Sequence, residues 1–108
     1  MSYSVSLVGT THYQPSIRML RRGNSVRICR KIGNPHDKDA IVAVSSGGKR
    51  IGYIARDSWI QRLAYEEAKS CSAFLTDTPN VGDGLLAVVL SVRISPEPME
   101  IVHYLNLK

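Results

Sequence analysis

The chain has 108 residues, 44% of them apolar, with 14 basic and 9 acidic side chains and a net charge of +5. That composition suits a single domain over residues 1–108 with one buried core, and it excludes a disordered chain. The longest purely apolar run, Leu85 to Leu90, is too short to span a bilayer, so no membrane partner is expected.

The charge is unevenly spread. Between Arg18 and Arg56 stand ten basic residues and two acidic ones, Asp37 and Asp39, whereas the remainder of the chain is net acidic. A clustered excess of this kind favours polyanions. The two cysteines, Cys29 and Cys71, lack metal-type spacing, and no basic-then-apolar leader opens the chain. Reduced thiols in a cytoplasmic protein are the expectation.

Tyr3 to Val8 alternates apolar and polar residues and reads as a strand, broken by Gly9 to His12. Pro15 suits the first turn of a short helix, with Ile17 and either Met19 or Leu20 inward and Gly23 as its left-handed cap. Val26 to Ile32 is a second strand, with Val26 and Ile28 on one face and Arg27, Cys29 and Lys31 on the other. Gly33 to Asp37 is dense turn chemistry. Ala40–Val44 and Arg50–Ile54 then form a hairpin about Ser46-Gly47-Gly48-Lys49.

Asp57 or Ser58 caps the one clear helix, and Ser58 with Gln61 fits a capping box. Trp59, Ile60, Leu63, Ala64 and Ala68 recur at helical spacing and are expected in the core. Ser72–Thr76 reads as a strand, Asp77–Gly84 as a loop, Leu85–Ile94 as a long strand, and Ile101–Leu107 as the closing one. Six or so short strands with one or two helices indicate a mainly β fold, a small barrel.

The run from Gly33 through Asn34-Pro35-His36-Asp37-Lys38-Asp39-Ala40-Ile41 to Val44, followed by Ile51-Gly52-Tyr53-Ile54-Ala55-Arg56 and a helix, resembles the HIRAN domain. The opening Leu7-Val8-Gly9-Thr10-Thr11 and the upstream Arg30 fit the same pattern. The resemblance implies an OB-like, six-stranded β-barrel with two helices that binds single-stranded DNA at a free 3′ end. In the best-known members the domain is fused to a helicase and targets it to stalled replication forks. This chain resembles the stand-alone members, which implies a helicase or nuclease acting in trans.

The same resemblance places a nucleic-acid site on His12, Tyr13, Arg30, Asn34, His36, Asp37, Lys38, Tyr53 and Arg56. Asn34 and Asp37 would fix the terminal sugar, since the Asn-Pro turn holds side-chain directions and Asp37 accepts from a hydroxyl. Their structural alternative is bonding to nearby backbone within the turn. His12, Tyr13 and His36 would stack on terminal bases, each stack being worth roughly 1–3 kcal/mol. His36 stands where the family prefers an aromatic, and Thr11 stands where DNA-binding members can have arginine. Arg30, Lys38 and Arg56 would hold phosphates. Tyr53 reaches a phosphate or a base, or else packs in the core, and Gly52 permits close backbone approach or a bulge.

Two other readings use the same residues. A protein-interaction module would dock an acidic partner on the basic face. A metal-dependent nuclease would need His12, His36, Asp37 and Asp39, but an extended Asp37-Lys38-Asp39 points its carboxylates to opposite faces. No zinc spacing, nucleophile motif or phosphate-cradling glycine loop is present, so neither catalysis nor a cofactor is expected.

Overall fold

A computed structural model describes residues 1–33, 35, 37 and 39–103. The elements, in chain order, are β1 (Tyr3–Ser6), a 3-10 turn (Thr10–Tyr13), α1 (Gln14–Arg18), β2 (Ser25–Ile32), β3 (Ile41–Ser45), β4 (Arg50–Tyr53), α2 (Trp59–Tyr65), β5 (Ser70–Asp77), β6 (Val89–Ser95) and β7 (Ile101–His103). Among the described residues seven strands, matching the seven segments expected and one more than the barrel the resemblance implies, form one sheet, with β1-β6-β5-β2-β3-β4 in order and β7 beside β2. The expected closing strand, β7, runs parallel to the end of β2, pairing Arg30–Ile32 with Ile101–His103, while the start of β2 pairs with β5.

The sheet curls until its two ends meet. Val8, just after β1, bridges Tyr53 at the end of β4 through Val8 N–H to Tyr53 O (2.8 Å) and Tyr53 N–H to Val8 O (2.9 Å). The curl encloses the main core: Val26 and Ile28 of β2, Ile41 and Ala43 of β3, Ile51 of β4, and Leu75, Leu90 and Val92 from the far side. Ile17 from α1 and Ile60, Leu63 and Ala64 from α2 close it. Burying residues of this size contributes about 1.5–3 kcal/mol each.

Each helix is placed by one local device. Gln14 is buried at the start of α1, where Pro15 occupies the first turn. Its amide donates to Thr10 O (3.0 Å) and Leu86 O (2.9 Å) and accepts from Leu86 N–H (2.8 Å), tying α1 to the segment before β6. In α2, Ser58 Oγ accepts from Ile60 N–H at 3.2 Å, so Ser58 rather than Asp57 is the cap.

Several expectations are corrected. Trp59 is 40% exposed and meets Tyr3 (ring centroids 5.1 Å) instead of entering the core. Only Ile60, Leu63 and Ala64 reach the core, because one face of a short helix has room for no more. Ala68 is exposed, beyond the end of α2, at a left-handed φ of 53°. Gly23 is left-handed (φ 85°) but caps nothing: α1 ends at Arg18, and Gly23 N–H bonds to Leu75 O at 2.8 Å. Of the two candidates after Ile17, Leu20 packs on the core and Met19 is exposed. The strand expected from Leu85 starts only at Val89, since Leu85 and Leu86 turn about the 77–84 loop. No helix among the described residues is long and apolar enough to cross a membrane.

Candidate nucleic-acid interface

The outer face of β2, β3 and β4 carries a second apolar cluster of Cys29, Val42 and Val44, with Tyr53 and Val102 packed against it. Alternation puts Arg27, Cys29 and Lys31 on this face, as expected. Tyr53 joins it opposite Val42, and Arg50 opposite Val44. Three residues apart, Arg50 and Tyr53 would fall on opposite faces of a regular strand. The register shifts at Ala43/Val44, so that Ile51 is the extra residue of a bulge and buries itself in the main core. The bulge returns Arg50 to the outer face.

Tyr13 stands over this strand from the 3-10 turn. Its ring lies 6.3 Å from that of Tyr53 and 6.2 Å, edge to face, from that of His12. The Arg50 guanidinium carbon is 5.4 Å from the centre of the Tyr13 ring. Lys31, itself buried, donates to the Tyr53 hydroxyl and lies 4.7 Å from the Tyr53 ring centre. Burial, and then the hydrogen bond to Tyr53, pushes the Tyr13 phenol above its usual pKa against the pull of Arg50 and Lys31. Tyr13 therefore stays a neutral donor at neutral pH. His12, Tyr13 and Tyr53, three of the candidate site residues, lie together, and Arg50 and Lys31, which were not among the candidates, lie beside them.

A second group lies at the 33–40 turn. Arg56 Nη2 is 3.2 Å from Asp37 Oδ2, and Asp37 Oδ1 accepts from Asp39 N–H at 3.1 Å. Asp37, Asp39, Arg56 and Gln61 line one cavity of about 130 Å³. Asp37 and Asp39 thus border one space, whereas an extended segment would set them on opposite faces. Arg56 is largely exposed and Asp37 is partly covered. Asn34, His36 and Lys38 lie outside the described residues.

Arg30 is placed differently from the other cations. It pairs with Ile41 and lies against α2, its guanidinium carbon 4.3 Å from the centre of the Tyr65 ring. Arg30 Nε and the Tyr65 hydroxyl are both buried without a hydrogen-bond partner among the described residues. Tyr65 and Arg56 line a groove of about 530 Å³ along α2, so Arg30 adjoins the Arg56 group through Tyr65.

Arg27 is held apart from both groups by Glu100, which also accepts from Cys29 Sγ at 3.6 Å. Arg30 N–H bonds to Glu100 O at 2.8 Å, which seats β7 beside β2. Among the described residues no group of three His, Cys, Asp or Glu side chains is placed to hold a metal ion.

The fold is similar to two solved structures. One is the HIRAN domain of human HLTF, with a TM-score of 0.61 and 15% identity over 89% of this chain and 77% of that one. The other is a protein from Lactobacillus plantarum, with a TM-score of 0.57 and 20% identity over 86% of this chain and 99% of that one. A search of curated proteins returned no match. The family model of the HIRAN domain matches residues 1–95, and the chain belongs to the HIRAN family.

Proposed function

We propose that this chain captures single-stranded DNA, with preference for a free 3′ end, in DNA repair or the processing of replication forks. It would act beside a helicase or nuclease carried on another chain. The HIRAN family is a family of DNA-binding domains, which supports a nucleic-acid partner. The observation that carries the finer reading is the Asp37–Arg56 pair on one small cavity.

A terminal nucleotide presents a hydroxyl donor next to a phosphate acceptor. Asp37 offers an acceptor to the first, and Arg56, 3.2 Å away, offers a fork of donors to the second. The strand would run on toward His12, Tyr13 and Tyr53, whose rings give sequence-tolerant stacking. Asn34, His36 and Lys38 would complete the terminal pocket from the turn, and Arg30 would reach a phosphate from beside Tyr65.

The test is fluorescence anisotropy at low and moderate salt with three oligonucleotides: a single strand ending in a free 3′-hydroxyl, the same strand ending in a 3′-phosphate, and a blunt duplex. The reading expects tightest binding to the free 3′-hydroxyl. Equal, weak binding to all three that vanishes with salt would leave only a basic surface and favour an acidic protein partner.

A further inference from the structure

We propose that Arg50, beside the Tyr13–Tyr53 pair and backed by the charge of buried Lys31, forms a phosphate-holding subsite that seats an internal phosphate of the strand whose end the 33–40 turn captures. This rests on the single-strand reading above and assigns to it two cations outside the terminal pocket.

Two of the neighbouring cations are neutralised. Arg27 pairs with Glu100 and Arg56 with Asp37. Arg50 has no carboxylate partner among the described residues, and its Nε is buried without a hydrogen-bond acceptor. A guanidinium left in that state is an anion receptor waiting for two oxygens, since its planar fork matches a phosphate. Its one described contact is the face of Tyr13, which orients the plane without using the donors.

The surroundings suit a phosphodiester better than a lone ion. Lys31 donates to the Tyr53 hydroxyl and lies by its ring, which adds a second positive charge beside the tyrosine pair. Both tyrosine rings lie beside a cation, so a base stacked on this aromatic surface would bring its phosphate close to them. The bulge supports the assignment independently. It inserts one residue into β4, and the result is to bring Arg50 to the same face as Tyr53.

The experiment is a salt titration of binding to a fluorescent ten-residue oligothymidylate with a free 3′-hydroxyl. It compares the unmutated chain, R50Q, and the control R93Q on the distant strand β6. Losing one single-strand phosphate contact lowers the slope of log K against log salt by about 0.7. R50Q is expected to lose about that much and to keep its 3′-hydroxyl preference, with R93Q unchanged. An unchanged slope in a folded R50Q overturns the subsite while leaving the end-capture reading intact.

A second measurement avoids mutation altogether. In the unmutated, 15N-labelled protein the assigned Arg50 Nε–H resonance should shift on adding the oligonucleotide, and an unmoved resonance overturns the proposal even if R50Q fails to fold. If the unmutated chain binds no oligonucleotide, the single-strand reading fails on its own. Inorganic phosphate then tests the receptor: a shifted Arg50 resonance supports an anion site, and a silent one overturns it.

Discussion

Gly52 and Val8 meet backbone to backbone where the sheet closes: a methyl group on Gly52 would stand 3.0 Å from the Val8 carbonyl oxygen and 3.1 Å from both Leu7 Cβ and Thr10 Cγ2. The Gly52 φ of 154° is also one that side chains rarely adopt. Gly52→Ala is therefore expected to destabilise the protein by about 1–3 kcal/mol, from strain and crowding together. The Val8–Tyr53 bridge is one residue away, so oligonucleotide binding should weaken as well. Denaturant unfolding with anisotropy checks both, and a stability loss within about 0.5 kcal/mol would show that closure is looser than these distances require.

Asp37 and Arg56 should separate in mutation. Asp37→Ala removes the acceptor for a terminal hydroxyl and also frees Arg56 from its partner. Binding of a 3′-hydroxyl strand should fall, while binding of a 3′-phosphate strand should hold or tighten. Arg56→Ala should weaken both ends alike and reduce the salt dependence by about one phosphate. Neither should change stability by more than about 1 kcal/mol, because Arg56 is largely exposed and the pair is screened. Equal losses for both strands in Asp37→Ala would count against hydroxyl recognition.

The helix α2 shows how far periodicity can be read. Trp59 and Ile60 are adjacent, and both fit an apolar stripe, but Ile60 is fully buried and Trp59 is 40% exposed. Ile60→Ala is expected to cost about 2–5 kcal/mol. Trp59→Ala should cost no more than about 1.5 kcal/mol, the scale of its single aromatic contact with Tyr3. Comparable losses in chemical denaturation would restore Trp59 to the core.

The same contrast explains what was legible in the residues and what was not. Strands β2 to β4 and their hairpin follow from alternation, Gly47-Gly48 and the run of β-branched residues. Asp37 and Arg56 stand at positions the resemblance singles out, but their pairing was not legible in the residues. Arg50 was illegible because a bulge changes the facing of a side chain without leaving a mark beyond Gly52. Lys31 was visible as a face residue, but its burial against Tyr53 depends on strand pairing far along the chain. Strand β7 could not be placed beside β2 from its own residues, since that pairing is fixed by Glu100 meeting Arg27, Cys29 and the Arg30 amide.

Ala68 offers a gain instead of a loss. It sits at φ 53° with its side chain exposed, in a turn where Lys69 N–H bonds back to Leu63 O at 3.0 Å. A left-handed residue with a Cβ costs about 1–2 kcal/mol, and glycine removes that strain at the expense of a more flexible unfolded chain. Ala68→Gly is expected to stabilise the protein by about 1 kcal/mol net, read as a raised denaturation midpoint. A lowered midpoint would mean that the turn is not left-handed in solution.

The two thiols set the alkaline limit. Burial pushes Cys29 up to about 12, with the Glu100 carboxylate adding to it, and burial alone pushes Cys71 up to about 11. In the unfolded chain each ionises near about 8.5. A group whose folded pKa is raised contributes stability that is whole below the unfolded value and is lost as pH rises toward the folded one. Melting temperature should thus hold steady from neutral pH to about 8.5 and fall above it, with Tyr13 adding to the fall in the same direction. In Cys29→Ala/Cys71→Ala the curve should start lower, from lost packing, but decline less steeply between about pH 9 and 11. Thiol reagents provide the second check: at pH 8 both cysteines should label at the rate of unfolding. Rapid labelling of the folded protein at pH 8 would mean that β2 opens from Glu100, or β5 from the core, far more often than their burial implies.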